Sequence, residues 1–341
     1  MNILLLLNGT EGCQTGIEDG FSHLKSKGII DSLYWFYLDD YAKKNSMKLA
    51  LKESLVIAEK LQPTMIIIFH IGKSKISNEY MLGLRRLSSN PTLVYNEGDM
   101  YGTWAKPVTI SMKVVMKAVD VVSICGLGKF YEQIYKINKK IIYTPNHADI
   151  ARFNKKPFIL EERKNKLVLV GNKVKPKLFS AIRRQPGAKQ RESLINCLSD
   201  TFSKEFVLHG NGWDGLISNQ GSVDFYQQLE VFKESWITVS YEHYPEIPYF
   251  FSNRLPIALL AGSLFVCHYN KGYENMFKGC DFIFFFKTNS EAIDLINYIH
   301  SLSKEDLLAR SKRARKFSLK YFHPHVVWEN FYNNVLALTK K

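Results

Sequence analysis

Residues 252–266 read Ser252-Asn253-Arg254-Leu255-Pro256-Ile257-Ala258-Leu259-Leu260-Ala261-Gly262-Ser263-Leu264-Phe265-Val266, an order that predicts a short apolar helix feeding a buried strand. Leu255, Ala258, Leu259 and Ala261 recur with a helical period, Pro256 suits a first helical turn, and Gly262 is the expected stop before a strand over 264–267. Ser252, Asn253 and Arg254 then fall where free backbone N–H groups and the positive end of the helix dipole meet an anion. A guanidinium there can hold a phosphate through two N–H bonds. A capped core helix with a surface arginine is the plainer reading of the same residues.

The segments around this helix repeat one grammar. A buried-type strand over 166–170 runs into Gly171-Asn172 and a basic loop with Lys173, Lys175 and Lys177. A second, over 206–208, runs into His209-Gly210-Asn211-Gly212-Trp213, and a third, over 236–240, into Tyr241-Glu242-His243. Strands that each end in a glycine or polar loop are how open α/β sheets line a ligand crevice beyond their carboxyl ends.

Val170-Gly171-Asn172, Gly210-Asn211-Gly212-Trp213 and Ser252-Asn253-Arg254 through Ala261-Gly262 resemble, in this order, the C-terminal nucleotide-binding half of a GT-B glycosyltransferase, with the nearest likeness to the CgeB-like and family-4-like glycosyl transferases. The likeness continues through Gly272-Tyr273-Glu274-Asn275-Met276-Phe277, a strand over 282–286 and a helix over 290–302, covering roughly 166–332. In the N-terminal half it rests on strand order and on Pro145, Asp149 and Phe153, which fit the segment closing the first domain of this group. Retaining members carry a glutamate just after the arginine-bearing helix start and a second eight residues on. Here Leu255-Pro256 and Leu264 stand there, so Glu242 or Glu274 is left to take the ribose role, and the donor sugar and stereochemistry stay open.

Length and composition fit two domains. At 341 residues, with 46% hydrophobic and 23% charged residues, the chain supports two cores of ordinary size. The resemblance implies two Rossmann-like doubly wound parallel-sheet domains facing an interdomain cleft: 1–153 for the acceptor, a linker over 154–165, 166–322 for the nucleotide sugar, and a helix over 323–341 crossing back to the first domain. No apolar run approaches the roughly 20 residues that cross a bilayer. The opening Met1-Asn2-Ile3-Leu4-Leu5-Leu6-Leu7 breaks at Asn8-Gly9 and reads as a first strand rather than a signal peptide, which places the protein in the cytoplasm. Five separated cysteines without a Cys-x-x-Cys pair agree.

Charge is less neutral: 46 Lys+Arg against 32 Asp+Glu give +14. Such an excess favours anionic partners, including the inner face of a membrane. The basic residues are scattered in small groups such as Lys43-Lys44, Arg85-Arg86 and Lys139-Lys140, without a recognised nucleic-acid-reading motif, so no specific nucleic acid is expected.

The N-terminal half alternates strands (3–7, 32–37, 64–69, 92–95, 119–123, 140–143) with helices (16–26, 47–61, 79–87, 113–118, 129–135), the pattern of a parallel sheet covered on both faces. The loops after its strands supply the remaining candidates. Gly9, Thr10 and Gly12 after the first strand allow backbone approach to a phosphate or sugar, or form a tight turn. His70 follows a wholly apolar strand and could bond or deprotonate a hydroxyl; a structural histidine is the alternative. Asn96-Glu97-Gly98-Asp99 offers two carboxylates, with Asp99 preferred to Glu97 as a general base for an inverting transfer.

On the donor side, Arg254 with Lys173, Lys175 or Lys177 would neutralise a leaving diphosphate, Gly210, Asn211, Gly212 and Trp213 would shape a base or ribose pocket, with a core aromatic the alternative for Trp213, and Glu242 would meet ribose hydroxyls. With the lysines in that service and no Asp-x-Asp or zinc-type spacing, no metal or other cofactor is expected. The sequence thus points to a hexosyltransferase-like enzyme moving a sugar from a nucleotide sugar to a glycan, lipid-linked or cell-surface polysaccharide acceptor. A catalytically silent module of the same fold and a sugar-nucleotide epimerase are the alternatives, and the oligomeric state is left open.

Overall fold

All five residues Ile3 to Leu7 of the first strand, Asn2–Leu7 (β1), are buried, which a strand achieves only when both faces of its sheet are covered. In the computed structural model of the chain, which describes residues 1–71, 74–103, 106–153, 161–173 and 185–339, that strand lies inside a parallel sheet. The sheet runs, in spatial order, Ser32–Tyr37 (β2), β1, Met65–Phe69 (β3), Thr92–Glu97 (β4), Val121–Ile124 (β5) and Ile141–Tyr143 (β6). Helices Thr15–Ser26 (α1), Leu38–Lys44 (α2), Met47–Leu61 (α3), Asn78–Arg85 (α4), Ile110–Ala118 (α5) and Lys129–Tyr135 (α6) connect these strands. Ser46, Ser77 and Thr109 cap α3, α4 and α5, each side-chain oxygen accepting a first-turn N–H.

A second parallel sheet has the order Ile283–Phe286 (β11), Leu264–His268 (β10), Ser235–Ser240 (β9), Asn165–Val170 (β7) and Phe206–His209 (β8). Its helices are Ala188–Phe202 (α7), Gln228–Lys233 (α8), Arg254–Leu260 (α9), Tyr273–Met276 (α10), Asn289–His300 (α11) and Lys304–Tyr321 (α12). The two sheets are the two doubly wound halves expected from the sequence. In each, strand order reverses once, between β1 and β3 and between β7 and β9, and such reversals open the crevices where ligands settle.

The chain divides into Met1–Pro145 with Pro324–Lys341, and Asn146–His323. Residues 146–153, expected to close the first domain, therefore pack with the second: Asn146 donates to the Phe251 carbonyl (2.6 Å), and Ala148 N–H to that of Phe322 (2.9 Å). Of the expected linker, 154–160 lie outside the described residues. Arg163 is fastened to the second unit, donating to the carbonyls of Ser235 (2.6 Å) and Gly262 (3.0 Å) with its guanidinium over Trp236.

The last helix, Pro324–Thr339 (α13), belongs to the first unit. Its Trp328, Phe331, Tyr332 and Val335 are buried beside Phe21 of α1. Gly20 makes this contact close: a Cβ there would lie 2.2 Å from the Trp328 ring. No helix among the described residues is long and apolar enough to cross a membrane.

Gly20→Ala gains about 1 kcal/mol of helix propensity but overpacks the indole, which costs about 1–3 kcal/mol. In thermal melts the variant is expected to lose stability, and the loss to shrink or reverse when Trp328 is also alanine. Equal effects in both backgrounds would mean that α13 does not close on Gly20.

Candidate functional site

The helix that decided the reading forms as expected and ends as expected. Helix α9 has a fully buried apolar body, Gly262 takes φ +72°, Gly262 N–H bonds Leu259 O (2.9 Å), and Ser263 N–H bonds Ala258 O (2.9 Å), the paired C-terminal bonds of a glycine-terminated helix. Its start differs from expectation. Asn253 is already helical and gives no side-chain cap; instead Ser252 turns to a carboxylate.

That carboxylate is Glu242, just past β9 and only 4% exposed. It accepts from Ser252 Oγ (2.8 Å), Ser252 N (3.3 Å) and Ser240 Oγ (3.4 Å), with Arg254 Nη2 at 3.5 Å. A buried carboxylate survives only when paired and hydrogen-bonded. The cost of burying Glu242 is met by the residues named as anion binders, so Ser252 and Arg254 are held before any ligand arrives.

A second arginine, not singled out from the sequence, completes the cluster. Arg191 of α7 is 3% exposed. Its Nε donates to the Tyr241 carbonyl (2.8 Å), Nη2 to the same oxygen, and Nη1 to His243 Nε2 (2.8 Å). Burial and then the two arginines push the His243 pKa down to about 2, so the imidazole is neutral and, with Nε2 accepting, carries its proton on Nδ1, a buried atom with no hydrogen-bond partner among the described residues. Burial first, then Arg254, lowers Arg191 to about 9 despite Glu242; it stays charged at neutral pH. The signal was present: Arg191, Leu194, Ile195 and Leu198 share the buried stripe of α7, and a cation on such a stripe needs a partner.

On the other side of the β7–β9 reversal, the two glycine loops are locked together. Asn172 Oδ1 accepts from Asn211 N (2.8 Å), Lys173 N donates to Asn211 O (2.9 Å), and Trp213 Nε1 donates to Gly171 O (2.7 Å). A Cβ at Gly210 would sit 2.2 Å from Gly171 O, so only glycine permits this approach; Gly212 has φ +83°. Trp213 is 3% exposed within the core. Of its two readings the structure has the core aromatic, its indole N–H tied to the Gly171 loop. Lys173 pairs with Glu192 (2.6 Å); Lys175 and Lys177 lie outside the described residues. Glu274 is exposed and bonded to Tyr269 (2.9 Å) and its own turn at Gly272 (2.9 Å).

The first unit brings His70, Glu97 and Asp99 together, with three metal-capable atoms within 4.8 Å of one another, alone among the described residues. His70 has φ +29°, the left-handed side that non-glycine residues avoid. Its Nδ1 bonds the fully buried Glu97, which also accepts from Tyr95 OH and from Asp99 N (3.0 Å). Asp99, the preferred base by sequence, is paired with Lys106 (2.6 Å), its Oδ2 3.9 Å from His70 Nε2. Burial alone would lower the His70 pKa, but the Glu97 hydrogen bond and charge, helped by Asp99, carry it upward. The result is an imidazole oriented by a buried carboxylate, with Nε2 on the side of Asp99. Gly9 and Gly12, at φ +81° and +78°, shape the β1 loop. Gly9 N donates to Asp39 (3.0 Å), and Thr10 Oγ1 lies 2.8 Å from Cys13 Sγ.

Residues 183–333 match the model of a family described as glycosyl transferase-like. Among curated proteins, no relative matches the chain by sequence. Three solved structures are similar to it over nearly their whole length. A glycosyltransferase from Rickettsia africae has 14% identity and TM-score 0.65, covering 100% of this chain and 99% of its own. HepE of Anabaena, in complex with UDP and glucose, has 11% and 0.57, covering 98% and 99%. A trehalose-6-phosphate structure from E. coli, bound with UDP-2-fluoro glucose, has 7% and 0.60, covering 100% of both. At these identities the likeness is one of fold. The chain has the GT-B fold of glycosyltransferases.

A histidine whose folded pKa is raised adds stability that is fully present below its unfolded value, about 6.5, and lost as pH rises through the folded value. His70→Ala is therefore expected to cost more stability at about pH 5.5 than at about pH 8.5 in denaturant titrations. An equal cost at both would show that no charged His70–Glu97 pair forms.

Proposed function

We propose that the protein is a glycosyltransferase whose second unit holds a nucleoside-diphosphate sugar. The observation that carries this reading is the cluster of Glu242, Ser252 and Arg254, backed by Arg191 and His243, at the carboxyl end of β9 beside the Gly171 and Gly210 loops. It combines preset cationic and N–H donors with backbone a ligand can approach closely, the requirements of diphosphate recognition. UDP is the first donor base to try, since two of the similar structures contain UDP or a UDP sugar.

In the proposed reaction an acceptor hydroxyl attacks the anomeric carbon as its bond to the diphosphate breaks. Arg254 meets the growing charge on the leaving oxygens. Within the first unit, the group built to accept a hydroxyl proton is His70 Nε2, its ring set by the buried Glu97 through Nδ1, with Asp99 beside it. Glu242 keeps Arg254 and Ser252 in place, with ribose hydroxyls as its other partners. The acceptor proposed is a glycan, lipid-linked or cell-surface polysaccharide chain. Charge neutralisation by arginine makes the reaction independent of divalent ions in this account, and the activity of the full chain is expected to survive EDTA. Loss of turnover in EDTA, restored by one metal, would instead assign His70, Glu97 and Asp99 to that ion.

Thermal-shift screening of the full chain against nucleoside diphosphates and their sugars tests the donor site, because a ligand of the folded state raises its melting temperature. One nucleotide family is expected to give a shift without added metal, and Arg254→Ala to weaken its affinity by about 10- to 100-fold, the worth of a hydrogen bond to a charged group. Product analysis then separates transfer from its rivals. His70→Ala is expected to lower kcat by about 10²–10⁴ with little change in donor affinity. A donor altered without an acceptor would mean epimerisation, and binding without turnover a silent module.

A further inference from the structure

Lys113 and Lys117 of α5 and Lys129, Lys136, Lys139 and Lys140 on and after α6 are all exposed, and none is ion-paired with a described residue. Across 110–140 only two acids stand against them. Asp120 is held by Arg85 (2.8 Å), which leaves Glu132 as the one exposed carboxylate. A charge run this one-sided is more than a solvated helix face, where both signs normally mix.

The same face carries apolar groups that water should not favour. Ile110, at the start of α5, is 83% exposed, and with Lys113 and Lys117 it follows the i, i+3, i+7 spacing of one helix face. Between the start of α5 and the end of α6 runs a groove of about 340 Å³, with Val108, Ile134 and Ile137 along it and Lys113 and Lys136 at its sides. Tyr135 is 43% exposed, stacks on Tyr131 at 5.7 Å, and lies under the Lys139 ammonium at 3.7 Å. Cations around an exposed aliphatic side chain and half-exposed tyrosines match the layered chemistry of a lipid surface, with phosphates outside, aromatics at the interface and acyl chains beneath. A nucleic-acid backbone would use the lysines and leave Ile110 and the apolar groove without a partner.

We propose that the α5–α6 face of the first unit docks on an anionic lipid leaflet, with Ile110 entering the headgroup layer and Lys113 and Lys136 flanking a lipid phosphate at the groove. This does not rest on the glycosyl-transfer reading, and its test has no turnover readout.

The experiment is co-sedimentation of the 341-residue chain with phosphatidylcholine vesicles, with and without roughly 30% phosphatidylglycerol. Binding is expected to the anionic vesicles and not to the neutral ones. Lys113→Glu with Lys136→Glu should weaken it about tenfold or more, and Ile110→Ser, which leaves the charge untouched, severalfold. Lys312→Glu with Lys316→Glu on α12 makes the same change in net charge on the other unit and should leave binding as it was. The proposal is overturned if the α12 pair weakens binding as much as the α5–α6 pair, if Ile110→Ser has no effect, or if anionic vesicles are not bound. It is equally overturned if single-stranded RNA, and no vesicle, is bound through Lys113 and Lys136.

Discussion

A carboxylate buried at the end of a central strand is the constraint on which the second unit's site depends. Glu242 is 4% exposed, and a buried carboxylate is costly without donors; the donors are Ser240 behind it and Ser252 and Arg254 ahead of it. Satisfying that charge sets the path of the chain from β9 to the start of α9. The next residue, His243, is bound by Arg191, whose guanidinium also closes on the Tyr241 carbonyl. Both arginines are therefore oriented by the protein itself, and an incoming anion would not have to order them, which is how fixed donors contribute most to binding and to charge developing in a reaction.

The first unit repeats the device with other residues. Glu97 is wholly buried and is satisfied by Tyr95, His70 and the Asp99 amide. In the second unit the buried carboxylate steadies a cation, and in the first an imidazole. Each stands beside the strand-order reversal of its own sheet, at the ends of β3 and β4 and of β9.

Much of this was legible in the sequence because parallel sheets write themselves plainly. Unbroken apolar runs such as Leu4 to Leu7 and Ile66 to Phe69 can only be strands buried on both faces, and Gly262 and Pro256 bracket α9 by their backbone chemistry alone. Helix α7 was not read, because Lys189, Gln190, Arg191 and Glu192 hide its apolar stripe until Leu194. Arg191 on that stripe signals that it needs a partner, but nothing local names His243, which lies 52 residues away in the chain. Trp213 reads two ways from its glycine turn, as a ligand wall or a core aromatic, and an indole with an N–H to satisfy settles against the Gly171 carbonyl with its ring buried. The sequence ranks Asp99 above Glu97 as a carboxylate base, and only contacts between strands show Glu97 buried against His70 and Asp99 paired with Lys106.

The central claim is that Arg254, held by Glu242, receives the donor diphosphate, and a crystal structure of the full chain with UDP tests it most directly. The account predicts diphosphate oxygens within about 3 Å of the Arg254 guanidinium, with Ser252 still bonded to Glu242 and the nucleoside lying toward the Gly171 and Gly210 loops. UDP bound elsewhere, or bound with Arg254 turned away from its phosphates, would contradict it.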